Sequence, residues 1–252
     1  MSERAGEPVG RDPATAFAAV GSGARSAQVP PDDGAFRLVL VRHGRTPSNV
    51  RHALDTALPG PSLDELGRSQ AEEVAGLLSG WPVRAVHASH ATRARETAEP
   101  VAARLGLRVE LLPGVHEVFV GDLDGRVDGP ARDEFDAIFA SWWDGDPDRR
   151  MPGGESARDL WGRFLPDLAR VSGTPDAADS GAVVVVSHGA AIRLASLALL
   201  GGEDGSGPAR PDARDGRNRP VPNTGRVVLR RDPDGWTTEL WDPMPDQTRS
   251  NH

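Results

Sequence analysis

The chain has 252 residues and a formal net charge of −8, and it contains neither Cys nor Lys, so all 29 of its cationic side chains are Arg. Thiol nucleophiles, disulfides and zinc–thiolate sites are thereby excluded, and an acidic chain offers no broad electropositive footprint for nucleic acid. Hydrophobic residues at 38% suit an ordinary globular core, and the lack of a long apolar run or a signal-peptide block sets the expectation of a cytoplasmic protein with no membrane partner.

Residues 1–34 are rich in Gly, Ala, Pro and Ser without a sustained apolar period, which predicts a disordered tail; 246–252 read as a second tail, leaving 35–245 as the folded domain. Order begins with the aliphatic run Phe36–Arg42, a strand of the kind buried on both faces of a parallel sheet. Asp64 or Ser62 caps a helix to about Leu78, and the strand Val83–Ala88 is followed by a helix from Thr92 to Leu105 that contains Pro100. Next come a short strand, Val109–Leu111, helices over Arg132–Trp143 and Glu155–Val171, the strongest strand, Ala182–Ser187, and a helix over Ala190–Leu200. Residues 201–222 read as a long loop. Strands Arg226–Arg230 and Trp236–Trp241 flank the turn Asp232-Pro-Asp-Gly235, an antiparallel hairpin at the sheet edge whose exposed strand offers a homodimer surface. Alternation of this kind predicts an α/β fold with three α/β/α layers around a mainly parallel sheet.

In such sheets reactive groups gather beyond the carboxyl ends of the strands. His43 and His188 each follow a strand there, and each precedes a Gly that permits an unusual backbone angle or a close approach. Arg42 adjoins His43, and Arg93 follows the end of another strand; the guanidinium fork matches phosphate oxygens. Glu117 stands among Val115, Val118 and Phe119, a setting that suits a general acid. His52, His87 and Arg95 carry no signal beyond ordinary strand or surface positions, and His90 reads as a surface residue.

From Phe36 to Trp241 the chain resembles the histidine phosphatase, or phosphoglycerate mutase-like, superfamily. The R-H-G-x-T-x-x-N pattern is present as Arg42, His43, Gly44, Thr46 and Asn49, and S-x-x-x-R-A-x-x-T-A as Ser89, Arg93, Ala94, Thr97 and Ala98; Glu117, Gly121 and Gly125, then Gly153–Ser156, then Ser187–Gly189 follow in family order. The resemblance implies a phosphoglycerate mutase-like fold and a small phosphorylated substrate, with neither metal nor cofactor. It further implies attack by His43 on phosphorus, phosphoryl oxygens held by Arg42, Arg93, His188, Asn49 and Gly189, and Glu117 as the acid that protonates the leaving oxygen. Here Asp122 and Asp124 lie where an aromatic and an acidic residue are common after Gly121, and His116 replaces a frequent Arg, which leaves Asp122 and Asp124 as reserve acids. Substrate choice is expected to rest on Arg45, the 53–61 segment, His116 and the helix over 132–143. The short stretch between Glu117 and His188 favours a phosphatase; a mutase and a catalytically silent phosphate-binding module are the alternatives.

Overall fold

The computed structural model describes residues 33–173, 180–201 and 219–243. Nearly all of the expected N-terminal tail, most of the 201–222 loop and the expected C-terminal tail lie outside those residues. Six strands form one sheet: β1 (Phe36–Arg42), β2 (Val83–Ser89), β3 (Val109–Leu112), β4 (Gly181–Ser187), β5 (Arg226–Asp232) and β6 (Gly235–Trp241), in the order β3-β2-β4-β1-β5-β6. The first four are parallel, while β5 runs antiparallel to β1 and β6 antiparallel to β5. The closing hairpin lies at one edge of the sheet as expected, with β5 against β1 and β6 forming the rim.

The apolar runs of β1 and β4 are buried on both faces because helices cover both. On one face α2 (Glu65–Leu78) and α3 (Thr92–Leu105) pack Val74, Leu78, Ala98 and Val101 against Val39, Val41, Val184 and Val186. On the other, α4 (Gly129–Trp143), α5 (Ala157–Ser172) and α6 (Gly189–Gly201) pack Phe139, Phe164 and Ile192 against Leu38, Leu40, Val183 and Val185. No helix among the described residues is long and apolar enough to cross a membrane.

The departures from the sequence expectation lie at helix starts, where capping decides. Helix α4 begins at Gly129 rather than Arg132 because the Asp128 side chain accepts from Ala131 N, with Pro130 in the first turn. Helix α5 begins at Ala157 rather than Glu155, since Ser156 and Asp159 form a reciprocal capping box; Glu155 instead pairs with Arg163 at 2.7 Å. A four-residue helix, α1 (Pro47–Val50), was not expected at all, being too short for apolar periodicity and held by a capping box between Thr46 and Asn49.

Candidate active site

The register of β1 against β4 pairs Arg42 with Ser187, so the residue after each strand, His43 and His188, arrives side by side at the carboxyl edge. Their ring centroids are 5.2 Å apart, and His43 N donates to Ser187 O at 3.0 Å. Both rings are buried, at 4% and 0% exposure. The His43 Nδ1 lies 2.7 Å from Gly44 O, a contact only an N–H makes favourably, so its proton resides on Nδ1 and Nε2 keeps its lone pair. Ser89, ending the adjacent strand β2, places Oγ 2.8 Å from His188 Nε2 while accepting from Ala91 N at 3.3 Å. In the tautomer in which the Ser89 hydroxyl donates to Nε2, the His188 proton sits on Nδ1.

Burial, reinforced by the guanidiniums of Arg93 and Arg42, holds the His43 pKa well below its ordinary 6.5; burial and then Arg93 do the same for His188. Both imidazoles are neutral. Arg42 Nη1 donates to Val221 O at 2.8 Å, and Arg93, buried in the first turn of α3, donates from Nη2 to Asp55 O at 3.1 Å. At this edge Arg42 Nε, Arg93 Nη1 and His188 Nδ1 are buried and make no hydrogen bond among the described residues, although Arg93 Nη1 has the Asp55 carboxylate 3.8 Å away. Buried donors are almost always hydrogen-bonded, so three such nitrogens beside one neutral imidazole make an arrangement whose chemistry suits an anion.

Both glycines after the histidines serve close approach, and neither has positive φ. A Cβ at Gly44 would lie 2.6 Å from Gly67 O, and one at Gly189 would lie 3.3 Å from Arg42 Nε, against one of the three open donors. Glu117 sits at the start of α6: Oε1 accepts from Ala191 N at 2.8 Å and Val118 N at 2.9 Å, and Oε2 from Ala190 N at 3.2 Å. A carboxylate there complements the positive end of the helix dipole.

Arg42, His43, Asn49, Arg93, Glu117 and Gly189 all line one cavity of about 380 Å³, while His188, fully buried with its ring beside that of His43, is not among the lining residues. Of the residues expected to select the substrate, Ala53 to Thr56, Arg132 and Phe135 line it. Arg45 does not, being turned to Asp64 at 2.7 Å, and His116 does not, its Nδ1 lying 3.0 Å from Glu117 O. Asp124 is not among the lining residues either; its carboxylate accepts from Thr56 N, Thr56 Oγ1 and Ala57 N and so fixes the 54–57 segment. Sequence reading missed His52, Arg193, Val221 and Asn223, all on the cavity wall. Arg193 had a usable signal, since it follows His188 by just over one helical turn; its guanidinium stacks 4.6 Å over Phe139, and burial lowers its pKa to about 10. Asn223 had none, standing in a Pro-rich segment far from the other site residues in sequence.

The model of the histidine phosphatase superfamily, branch 1, matches residues 38–243. A glucosyl-3-phosphoglycerate phosphatase of Mycobacterium tuberculosis is 36% identical over 173 residues, covering 66% of this chain and 76% of that protein. A 2,3-bisphosphoglycerate-dependent phosphoglycerate mutase of Azorhizobium caulinodans is 32% identical over 167 residues, 64% of this chain and 80% of that protein. A PE-PGRS family protein of Mycobacterium tuberculosis is 30% identical over 82% of this chain, which spans only 36% of that longer relative. Among solved structures, the mycobacterial glucosyl-3-phosphoglycerate phosphatase in complex with VO3 superposes with a TM-score of 0.66 at 27% identity, covering 82% of this chain and 99% of that one. With its two strand-end histidines and paired arginines arranged on such a sheet, the chain belongs to the histidine phosphatase superfamily.

Proposed function

We propose that the chain is a metal-independent phosphomonoester hydrolase that works through a phosphohistidine on His43. The observation that carries this reading is the trio of buried nitrogens without hydrogen bonds beside a histidine kept neutral. The Nε2 lone pair of His43 attacks phosphorus, the bond from phosphorus to the leaving oxygen breaks, and Glu117 gives that oxygen its proton. Water then attacks the phosphohistidine, passes a proton to Glu117, and the N–P bond breaks to release phosphate and restore His43. Arg42 Nε, Arg93 Nη1 and His188 Nδ1 donate to the equatorial oxygens, where charge builds during in-line transfer. Oε2 of Glu117, with one bond of 3.2 Å against two shorter ones on Oε1, is the oxygen better placed to carry the proton.

Two guanidiniums beside His43 repel a dication, which supports catalysis without metal. Beyond the phosphoryl cradle, Arg132, Phe135 and Arg193 suit a small leaving group that bears negative charge, in keeping with the phosphoglycerate derivatives that the curated relatives' names specify. A mutase shares the first step and differs in the acceptor of the phosphoryl group. The test is phosphate release from a panel including glucosyl-3-phosphoglycerate and 3-phosphoglycerate in EDTA, with His43→Ala as control. Release that survives chelation and vanishes in the folded variant supports hydrolysis; loss with EDTA removes the metal-independent reading, and isomerisation faster than release moves the assignment to a mutase.

A further inference from the structure

We propose that Asn223 is a positioning residue of the phosphoryl-transfer site, holding the Asn49 side chain so that its amide N–H2 faces the phosphoryl group. The inference rests on the phosphoryl-transfer reading and extends it to a residue that none of the sequence motifs include. Asn223 Nδ2 lies 3.0 Å from His43 O and 3.2 Å from Asn49 Oδ1, so its two N–H bonds span the main chain of the proposed nucleophile and the side chain of a neighbouring donor. Asn49 Oδ1 also accepts from Thr46 N at 3.1 Å. With two donors converging on Oδ1, the amide of Asn49 has one orientation, and Nδ2 is the atom left for the cavity that Asn49 lines.

The side-chain chemistry is specific. A single nitrogen carrying two protons serves two acceptors; an ionised Asp has none to give, and Ser has one. The backbone beside it is also built for the purpose. Thr224 N donates to Arg42 O at 3.0 Å and to His43 O at 3.3 Å, and Thr224 adopts φ 53°, an uncommon left-handed conformation for a β-branched residue. The segment thus grips the end of β1 through the main chain and reaches Asn49 through the Asn223 side chain.

The experiment measures orthovanadate affinity by calorimetry, and thermal stability alongside it, in the unaltered protein, Asn223→Ala, Asn49→Ala and the double variant. Asn223→Ala should weaken vanadate binding about tenfold, the worth of roughly one well-placed hydrogen bond. In the Asn49→Ala background the same change should cost less than twofold, because the group being positioned is already gone. A merely structural role would lower affinity by the same factor in both backgrounds, and that result, or no loss in Asn223→Ala, overturns the proposal. Asn223→Asp keeps the shape and serves if Asn223→Ala does not fold; affinity retained in Asn223→Asp also overturns it. Failure of the unaltered protein to bind vanadate would instead sink the site reading itself, before any variant is compared.

Discussion

Mild acid should destabilise this protein through its own site. His43 and His188 are buried, their pKa values in the folded chain are held well below 6.5 by burial and by Arg93, and in the unfolded chain both return to about 6.5. Below that value the unfolded state binds protons that the folded state refuses, so stability is lost as pH falls from about 6.5 toward the folded pKa values, and above 6.5 the pair contributes no slope. Each refused proton gives a limiting slope of about 1.4 kcal/mol per pH unit, hence about 2.8 for the two, a large share of the 5–15 kcal/mol or so that holds a domain together. His87 and His116, lowered mainly by burial, add slope of the same sign. Urea denaturation at half-unit steps from pH 8 to 5 should therefore compare the unaltered chain with His43→Asn/His188→Asn. The variant should lose up to two protons' worth of slope below pH 6.5 and none above it. Equal slopes in the two proteins would mean that these imidazoles are not held neutral, and the argument from burial would fail.

Gly189→Ala places a methyl group 3.3 Å from Arg42 Nε, so phosphate or vanadate affinity should fall about tenfold with little change in melting temperature; unchanged affinity would show that this donor does not face the anion. Glu117→Gln should reduce hydrolysis of alkyl phosphates by a factor of about 10²–10⁴ while sparing p-nitrophenyl phosphate, whose leaving oxygen barely needs a proton. It should also cost on the order of 1 kcal/mol of stability, because the new amide N–H2 opposes the N–H groups at the start of α6. Equal kinetic losses on both substrate types would remove Glu117 from the acid's role.

The strands were legible because β-branched runs such as Ala182–Ser187 have few alternatives, and each strand-end His could be read from the run before it and the Gly after it. What the sequence does not carry is which strands are neighbours. His43 and His188 meet because β4 is inserted between β2 and β1, a consequence of crossover topology and not of any local signal. Short-range capping was legible at Asp64, which caps α2, but not at Thr46 and Asn49, which build α1 within four residues, below the reach of any periodicity. Glu117 was read by its apolar neighbours, yet in the fold its carboxylate accepts from three backbone N–H groups, Val118 N beside it and two, Ala190 N and Ala191 N, that only the packing of α6 supplies. His52 looked featureless in sequence and lines the cavity wall, whereas Arg45, two residues after His43 in sequence, turns away to Asp64.

The same buried donors that would bind the anion weaken the unliganded fold. A buried donor without a hydrogen bond costs about 1–3 kcal/mol, so Arg42 Nε, Arg93 Nη1 and His188 Nδ1 together cost several kcal/mol, offset in part at Arg93 by the Asp55 carboxylate 3.8 Å away. A tetrahedral oxyanion supplies acceptors to all three at once, and its charge is opposed by neither neutral imidazole. Binding to the folded state alone stabilises by RT ln(1 + [L]/Kd), about 2.7 kcal/mol at a hundred times Kd. For a domain of this size each kcal/mol moves the melting temperature by about 2–4 °C, so saturating vanadate should raise it by about 5–11 °C. Arg93→Ala removes one donor and a positive charge from the cradle, and at the same vanadate concentration most of that rise should disappear. A rise of equal size in Arg93→Ala would place the anion elsewhere on the protein, and the three open donors would then need another explanation.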